Sequence, residues 1–128
     1  MSALVNAVAN QAQSVLLAPV SKTASFTTTP LDISDFEGLI AITQVGGVGS
    51  TWGTAATIVE TSDDVNFAGG ANPTVTVGTF TTVAANAAHQ KIHIDTNACK
   101  RYIRCNSTFA TLSAWLVAYL LTGVKQTQ

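Results

Sequence analysis

Three short stretches of the chain alternate polar and apolar residues with a period of two. In "KIHID", Ile92 and Ile94 share one side while Lys91, His93 and Asp95 share the other. "YIRCN" sets Ile103 and Cys105 against Tyr102, Arg104 and Asn106, and "TVTVGTF" sets Val75 and Val77 against Thr74, Thr76 and Gly78. A strand with one covered face demands that spacing, and Val and Thr fit its pleated surface. Turn residues recur at Thr29-Pro30, Gly46-Gly47, Gly49-Ser50, Asp63-Asp64, Gly69-Gly70, Asn72-Pro73, Asn86 and Thr96-Asn97. Short strands at such intervals point to a sandwich or barrel. No long amphipathic stretch is present to cross between parallel strands, which excludes a parallel βαβ architecture.

The expected fold is therefore all-β: a single-domain antiparallel β-sandwich, jelly-roll or immunoglobulin-like, spanning residues 21–128 behind an extended N-terminal arm at 1–20. "LIAITQV" at 39–45, "TAATIVE" at 54–60 and "AWLVAYLL" at 114–121 are more continuously apolar. They read as central strands covered on both faces. The last also satisfies helical spacing, but Thr111 and Gly123 bracket it and favour a strand. Residues 2–18, with "ALVNAVANQAQSVLLA", fit a helix or an extended arm.

A chain of 128 residues fits one domain, large enough to bury roughly two-thirds of its unfolded surface. Charged residues make up only 10% against 47% apolar, whereas an average soluble domain carries roughly 25% charged residues. The exterior must then be built from Thr, Ser, Asn and Ala, which suits permanent burial against neighbouring subunits. A net charge of −1 offers no field to attract nucleic acid. Lys100, Arg101 and Arg104 read as solvated or paired charges at the start of a strand. The apolar run Leu112 to Leu121 is about half of a bilayer span. The N-terminal stretch has no positive charge, and Asn6 and Gln11 interrupt it, so no export signal or membrane contact is expected. Cys99 and Cys105 are expected as free thiols, buried or half-buried, since a chain with its own core has little need of a disulfide framework.

Each cluster that invites chemistry has a plainer meaning. "IVETSDDVNF" holds Glu60, Asp63 and Asp64, but a calcium loop needs oxygens at alternate positions, a central Gly and a distal Glu. The stretch reads as a strand to residue 62 and a turn at Asp63-Asp64, with Phe67 resuming the strand and pointing inward. "VGGVGSTWG" at 45–53 lacks the lysine of a phosphate-binding loop and reads as a surface loop carrying Trp52. On a strand, His89 and His93 stand about 13 Å apart, too far for one metal. Nothing assembles a nucleophile with its base, and the sequon Asn106-Ser107-Thr108 has meaning only on a secreted chain. No enzyme activity, cofactor, metal or small-molecule substrate is expected.

"LDISDFEGLIAITQVG" at 31–46, "VETSDDVNF" at 59–67 and "IDTNACKRYIRC" at 94–105 together resemble small β-sandwich virion proteins of tailed bacteriophages, most like capsid decoration (cement) proteins. Glu60, Asp63, Asp64 and Phe67 match the hairpin of that pattern, and Arg101, Tyr102, Ile103 and Arg104 match its later strand. Thr61 and Val65 depart from the commoner Ser and Gly. The likeness covers residues 31 to 124. It implies a non-enzymatic protein on the capsid surface of a virion, made in the bacterial host cytoplasm and binding between subunits of the major capsid protein and copies of itself as a homotrimer. The expected interface residues are Leu4, Val5, Val8, Val15, Leu16 and Leu17 of the arm, which could add to a neighbour's sheet edge, together with Trp52. The alternative is a tail, neck or fibre-associated structural protein, or a host- or glycan-binding module using residues of the kind found at Trp52, Trp115, Tyr102 and Asn72.

Overall fold

The computed structural model of the chain describes residues 11–48, 53–83, 88–110 and 114–125. The strands among them are β1 (Gln11–Lys22), β2 (Phe26–Thr27), β3 (Leu31–Asp32), β4 (Phe36–Val48), β5 (Thr54–Ser62), β6 (Val75–Thr79), β7 (Ala88–Asp95), β8 (Tyr102–Ala110) and β9 (Trp115–Lys125), with one 3-10 turn at Thr96–Ala98. No helix among the described residues is long and apolar enough to cross a membrane. The alternating stretches around residues 92 and 103 are strands β7 and β8, and the segment at 114–121 lies mainly in strand β9.

All strand pairs are antiparallel. One sheet runs β1-β9-β4-β7; the other runs β2-β8-β5-β6, with β3 also on β8. Counted as one interrupted strand, β2 and β3 make the two sheets run 1-8-3-6 and 2-7-4-5. That is the order of a jelly roll, and it decides between the two expected sandwiches. Thr28 explains the interruption. Its backbone N–H donates to Cys105 O at 2.9 Å, and its hydroxyl accepts from Cys105 N at 2.9 Å. The buried side chain thus stands in for a strand carbonyl between the two short pieces.

Two expectations need correction. Residues 11–20, assigned to an arm, belong to β1 and pair with β9 of the same chain, from Gln11↔Val124 to Lys22↔Trp115. Leu16 explains the placement: it is 5% exposed and joins the core, so the segment has an apolar anchor of its own. Gly46-Gly47 is no turn. Both residues lie inside β4, paired with Val117 and Leu116 on β9. Gly46 is there for close approach, because the Trp115 indole lies on its backbone.

The core is aromatic at one end. Trp115 and Tyr119 on β9 pack with Phe26 and Phe109 of the facing sheet, and Phe80 reaches Tyr119, at centroid separations of 5.8 to 6.4 Å. Such edge and tilted pairs add about 0.5–1.5 kcal/mol beyond burial. Ile40 and Ile42 of β4, Val59 of β5, Ile94 of β7, Ile103 and Cys105 of β8 and Leu121 of β9 extend the core toward the other end.

A polar row crosses this interior. Tyr119 Oη donates to Gln44 Oε1 at 2.7 Å and accepts from Thr57 Oγ1 at 2.8 Å, and Thr57 lies 3.0 Å from Ser107 Oγ. It ties β4 and β9 of one sheet to β5 and β8 of the other. Burial raises the Tyr119 phenol well above its ordinary range, so it stays a neutral donor. Among the described residues, Gln44 Nε2 and Trp115 Nε1 are buried with no hydrogen-bond partner, each at a cost of about 1–3 kcal/mol.

A Cβ on Gly46 would come within 2.9 Å of Trp115 Cε2 and 3.0 Å of Leu116 O, and closer still to Trp115 Nε1. The indole, fully buried among three aromatic rings, has nowhere to move. Gly46→Ala is therefore expected to lower stability by about 1–3 kcal/mol, read as an earlier midpoint in urea unfolding.

Candidate interaction surface

The acidic stretch at 58–67 is part of a clasp. Asp64 accepts from Asn66 N at 2.9 Å and Ala68 N at 3.2 Å, closing its own turn. Asp63 Oδ1 accepts from Arg101 N at 3.2 Å, and Thr61 Oγ1 both accepts from Lys100 N and donates to Tyr102 O, each at 2.8 Å. Glu60 takes Arg104 Nε at 3.0 Å, with both side chains largely buried. The Arg104 guanidinium lies over the Phe67 ring, 4.3 Å from its centroid. Phe67 points inward as expected but does not resume a strand: its φ of 53° is left-handed, and the chain returns to strand at Val75. Arg101 meets Asp32 at 3.1 Å, and Asp32 also accepts from Ser34 N at 2.9 Å in the turn leading to β4. That backbone bond, then Arg101, holds the Asp32 carboxyl below its usual range. The three sequence stretches that carry the resemblance thus meet at one end of the sandwich, and what they do there is structural.

Beside the clasp is a polar cleft of about 400 Å³, lined in part by Glu37, Asn97, Lys100 and Arg101 over Ile33 and Phe36. Its cations are engaged, Arg101 with Asp32 and Lys100 Nζ with Pro73 O at 3.3 Å. Cys99 is half-buried in its wall, and burial, then the Asp95 charge, push its thiol up to about 11. Cys105 is fully buried and its thiol is raised further by desolvation. Both cysteines are free.

The outer face of the β1-β9-β4-β7 sheet is different. Along β9, Trp115, Val117, Tyr119 and Leu121 point into the core, so Leu116, Ala118, Leu120 and Thr122 point outward. The register sets Gly47, Val45, Thr43 and Ala41 of β4 beside them, in that order. Val15 of β1 stands opposite Leu120. Val15 is 64% exposed, Leu116 57% and Val45 50%. Shallow depressions of about 320 and 180 Å³ run between these side chains, with Pro19 on both walls and Leu17 on the smaller one. The far side of this face is the polar row of β7, where His89, Lys91, His93 and Asp95 are all exposed.

The expected interface residues distribute unequally. Val15 lies on this outer face, Leu17 is half-buried beside it, and Leu16 turns into the core because successive residues of a strand face opposite sides. Leu4, Val5, Val8 and Trp52 lie outside the described residues. Of the residues considered for a glycan site, Trp115 is fully buried and unavailable, Tyr102 is half-buried and Asn72 is exposed. The exposed apolar face itself was missed. Its signal was the continuous apolar run in β4 and β9, read as coverage from both sides. Among the described residues no group of three or more His, Cys, Asp or Glu side chains is placed to hold a metal.

No protein-family model matches the chain, and no curated protein does. Solved structures do share its fold. One comes from work on Bacillus endospore appendages described as a family of disulfide-linked pili, at 11% identity and a TM-score of 0.52, covering 92% of this chain and 90% of that one. The PBSX exported protein XepA matches at 17% identity and a TM-score of 0.53, covering 91% of this chain and 38% of its own. The infectious bursal disease virus VP2 subviral particle matches at 14% identity and a TM-score of 0.50, covering 90% and 32%. This chain therefore spans well under half of XepA and of VP2. At these identities the likeness establishes a shared β-sandwich fold.

Two outcomes follow. Arg104→Ala leaves the largely buried Glu60 without its cation and removes the contact on Phe67, and should cost about 2–4 kcal/mol in chemical denaturation, whereas Lys91→Ala on exposed β7 should cost less than about 0.5 kcal/mol. The Cys99 thiol binds its proton more tightly folded than unfolded. Its contribution is complete below the unfolded value near 9 and is lost as pH rises toward about 11. Thermal melting should accordingly fall between those pH values, and Cys99→Ser should flatten the fall.

Proposed function

We propose that this protein is a non-enzymatic building block of a bacteriophage particle, and specifically a capsid decoration protein that stabilises the shell by binding between major capsid subunits. The observation that carries the reading is the outer face of the β1-β9-β4-β7 sheet. Its middle strands have the apolar composition of strands covered on both sides, yet no described residue of the chain covers the second side. Burying the exposed halves of Val15, Val45 and Leu116 is worth about 1 kcal/mol each. Such a patch, bordered by few charges, suits lasting adhesion to another protein surface.

The resemblance of residues 31 to 124 to phage virion proteins supports the phage setting. The sandwich shared with VP2 of a subviral particle and with a protein of disulfide-linked endospore pili supports a place in an assembled surface. In this reading the clasp keeps one end of the sandwich rigid while the apolar face docks. The partners are the major capsid protein and further copies of the chain, with the virion surface as its location.

The test is binding to undecorated capsids. The wild-type protein should bind saturably and raise the temperature at which the shells come apart. Leu116→Asp, at a 57% exposed position, should keep the wild-type fold and weaken capsid binding at least tenfold. Binding to tails alone, or to glycans and not to shells, would overturn the reading.

A further inference from the structure

A jelly roll has four sheet edges, and this chain treats them unequally. The β1 edge is broken by register slips between Val15 and Leu17 and between Leu17 and Val20, and carries Pro19. β6 is five residues long and slips opposite Val59 and Glu60. The β2 and β3 edge consists of two pieces of two residues. Bulges, proline, shortness and charged side chains are the usual ways of preventing strand addition. β7 has no bulge, no proline and a full length, and of these devices it carries only the charges of Lys91 and Asp95. It runs eight residues in unbroken register with β4, from Ala88↔Gly46 to Asp95↔Leu39, and no described strand pairs with its other edge. Residues 80–83, after β6, are held beside it by the Gln90 side chain, which bonds Thr81 N at 2.7 Å and Thr81 O at 2.8 Å; among the described residues no backbone bond joins them to β7.

We propose that the free edge of β7 receives residues 3–10 of a second copy of this chain as an added strand. The segment "ALVNAVAN" has eight residues, the length of β7, with no charge and no proline. Extended, it would put Ala3, Val5, Ala7 and Ala9 on one side and Leu4, Asn6, Val8 and Asn10 on the other. Small apolar residues on one side suit the flank of Ile92 and Ile94. Asn6 and Asn10 on the other suit the polar row of His89, Lys91 and His93. Backbone hydrogen bonds along the edge supply the affinity, as in other strand additions.

The donor must be another copy. Gln11 begins β1, at the opposite edge of the sheet from β7. A strand added beyond β7 lies four strand spacings from β1, about 19 Å. With residues 3–10 all laid along β7, only the bond from Asn10 to Gln11 remains to cross that distance. A contact that joins β7 of one copy to the N-terminal segment of the next is head-to-tail, and it closes into a ring when the rotation between copies allows.

The inference rests on the assembly reading for its purpose, but its test uses the isolated protein, so each fails separately. Native mass spectrometry of the full chain should show a multimer, and deletion of residues 2–10 should reduce it to a monomer with an unchanged melting temperature. A synthetic peptide of residues 2–10 should bind the deleted chain. As a second measurement, benzoyl-phenylalanine in place of His93 should crosslink to residues 3–10. In mixtures of ¹⁴N- and ¹⁵N-labelled protein, the linked peptides should carry mixed labels. A deleted chain that keeps the multimer, a full chain that is monomeric, or crosslinks within single copies would each overturn the proposal. Loss of capsid binding by Leu116→Asp with the multimer intact would leave it standing.

Discussion

A two-layer sandwich covers each sheet on one side only, and the rest of this molecule depends on that constraint. The chain fills the single interior with the side chains of Trp115, Tyr119, Ile40, Ile42, Val59 and Ile103, all fully buried or nearly so. It then has apolar residues left over. These fall on the outward positions of β4 and β9, because alternation along a strand sends every second residue away from the core. Polar residues at those positions would give an ordinary soluble surface. The chain places Leu116, Leu120 and Val45 there instead, and its scarcity of charge leaves little around them to hold water. An apolar outer face follows from how two sheets share one core.

The clasp and the polar row divide the work of keeping the layers in place. The row Gln44-Tyr119-Thr57-Ser107 fixes one sheet over the other from within, where each hydroxyl has a partner and water cannot compete. The clasp acts at the end of the sandwich, where loops rather than strands must be held. There Arg104 is shielded between Glu60 and Phe67, a setting in which an ion pair loses less to solvent than an exposed one. The exposed pair Arg101–Asp32 adds geometry more than energy: it fixes the turn that launches β4 against the start of β8.

Much of this was legible in the sequence, and what was not has physical reasons. The alternation around Ile92, Ile94, Ile103 and Cys105 reports burial directly, since a strand's two faces are written in consecutive residues. The Asp63-Asp64 turn and the free thiols were legible for similarly local reasons. Gly46-Gly47 was misleading because glycine marks both turns and close approaches, and only the position of Trp115 tells them apart. Phe67 looked like a strand residue because its left-handed φ is imposed by the loop around it. Val15 and Leu16 were read together as interface residues, but consecutive residues of a strand face opposite sides, so one points outward and the other inward. The exposed face was hidden for a deeper reason: a run of apolar residues has the same composition whether its second cover comes from its own chain or from a neighbour. The meeting of Asp32 with Arg101 depends on the path of the whole chain.

The pairing of β9 between β1 and β4 has a further consequence for biosynthesis. Strands β1 and β4 do not pair with each other; both pair with residues 115–125, which lie between them. While the polypeptide is still leaving the ribosome, β4 therefore has only β7 as a neighbour in its sheet, and its other edge stays open. Closure waits until β9 has emerged. Contacts between strands far apart in the sequence, such as β1 and β9, are slow to form because of the large loop they close. The nascent protein must reach that moment with its most apolar edge still unpaired.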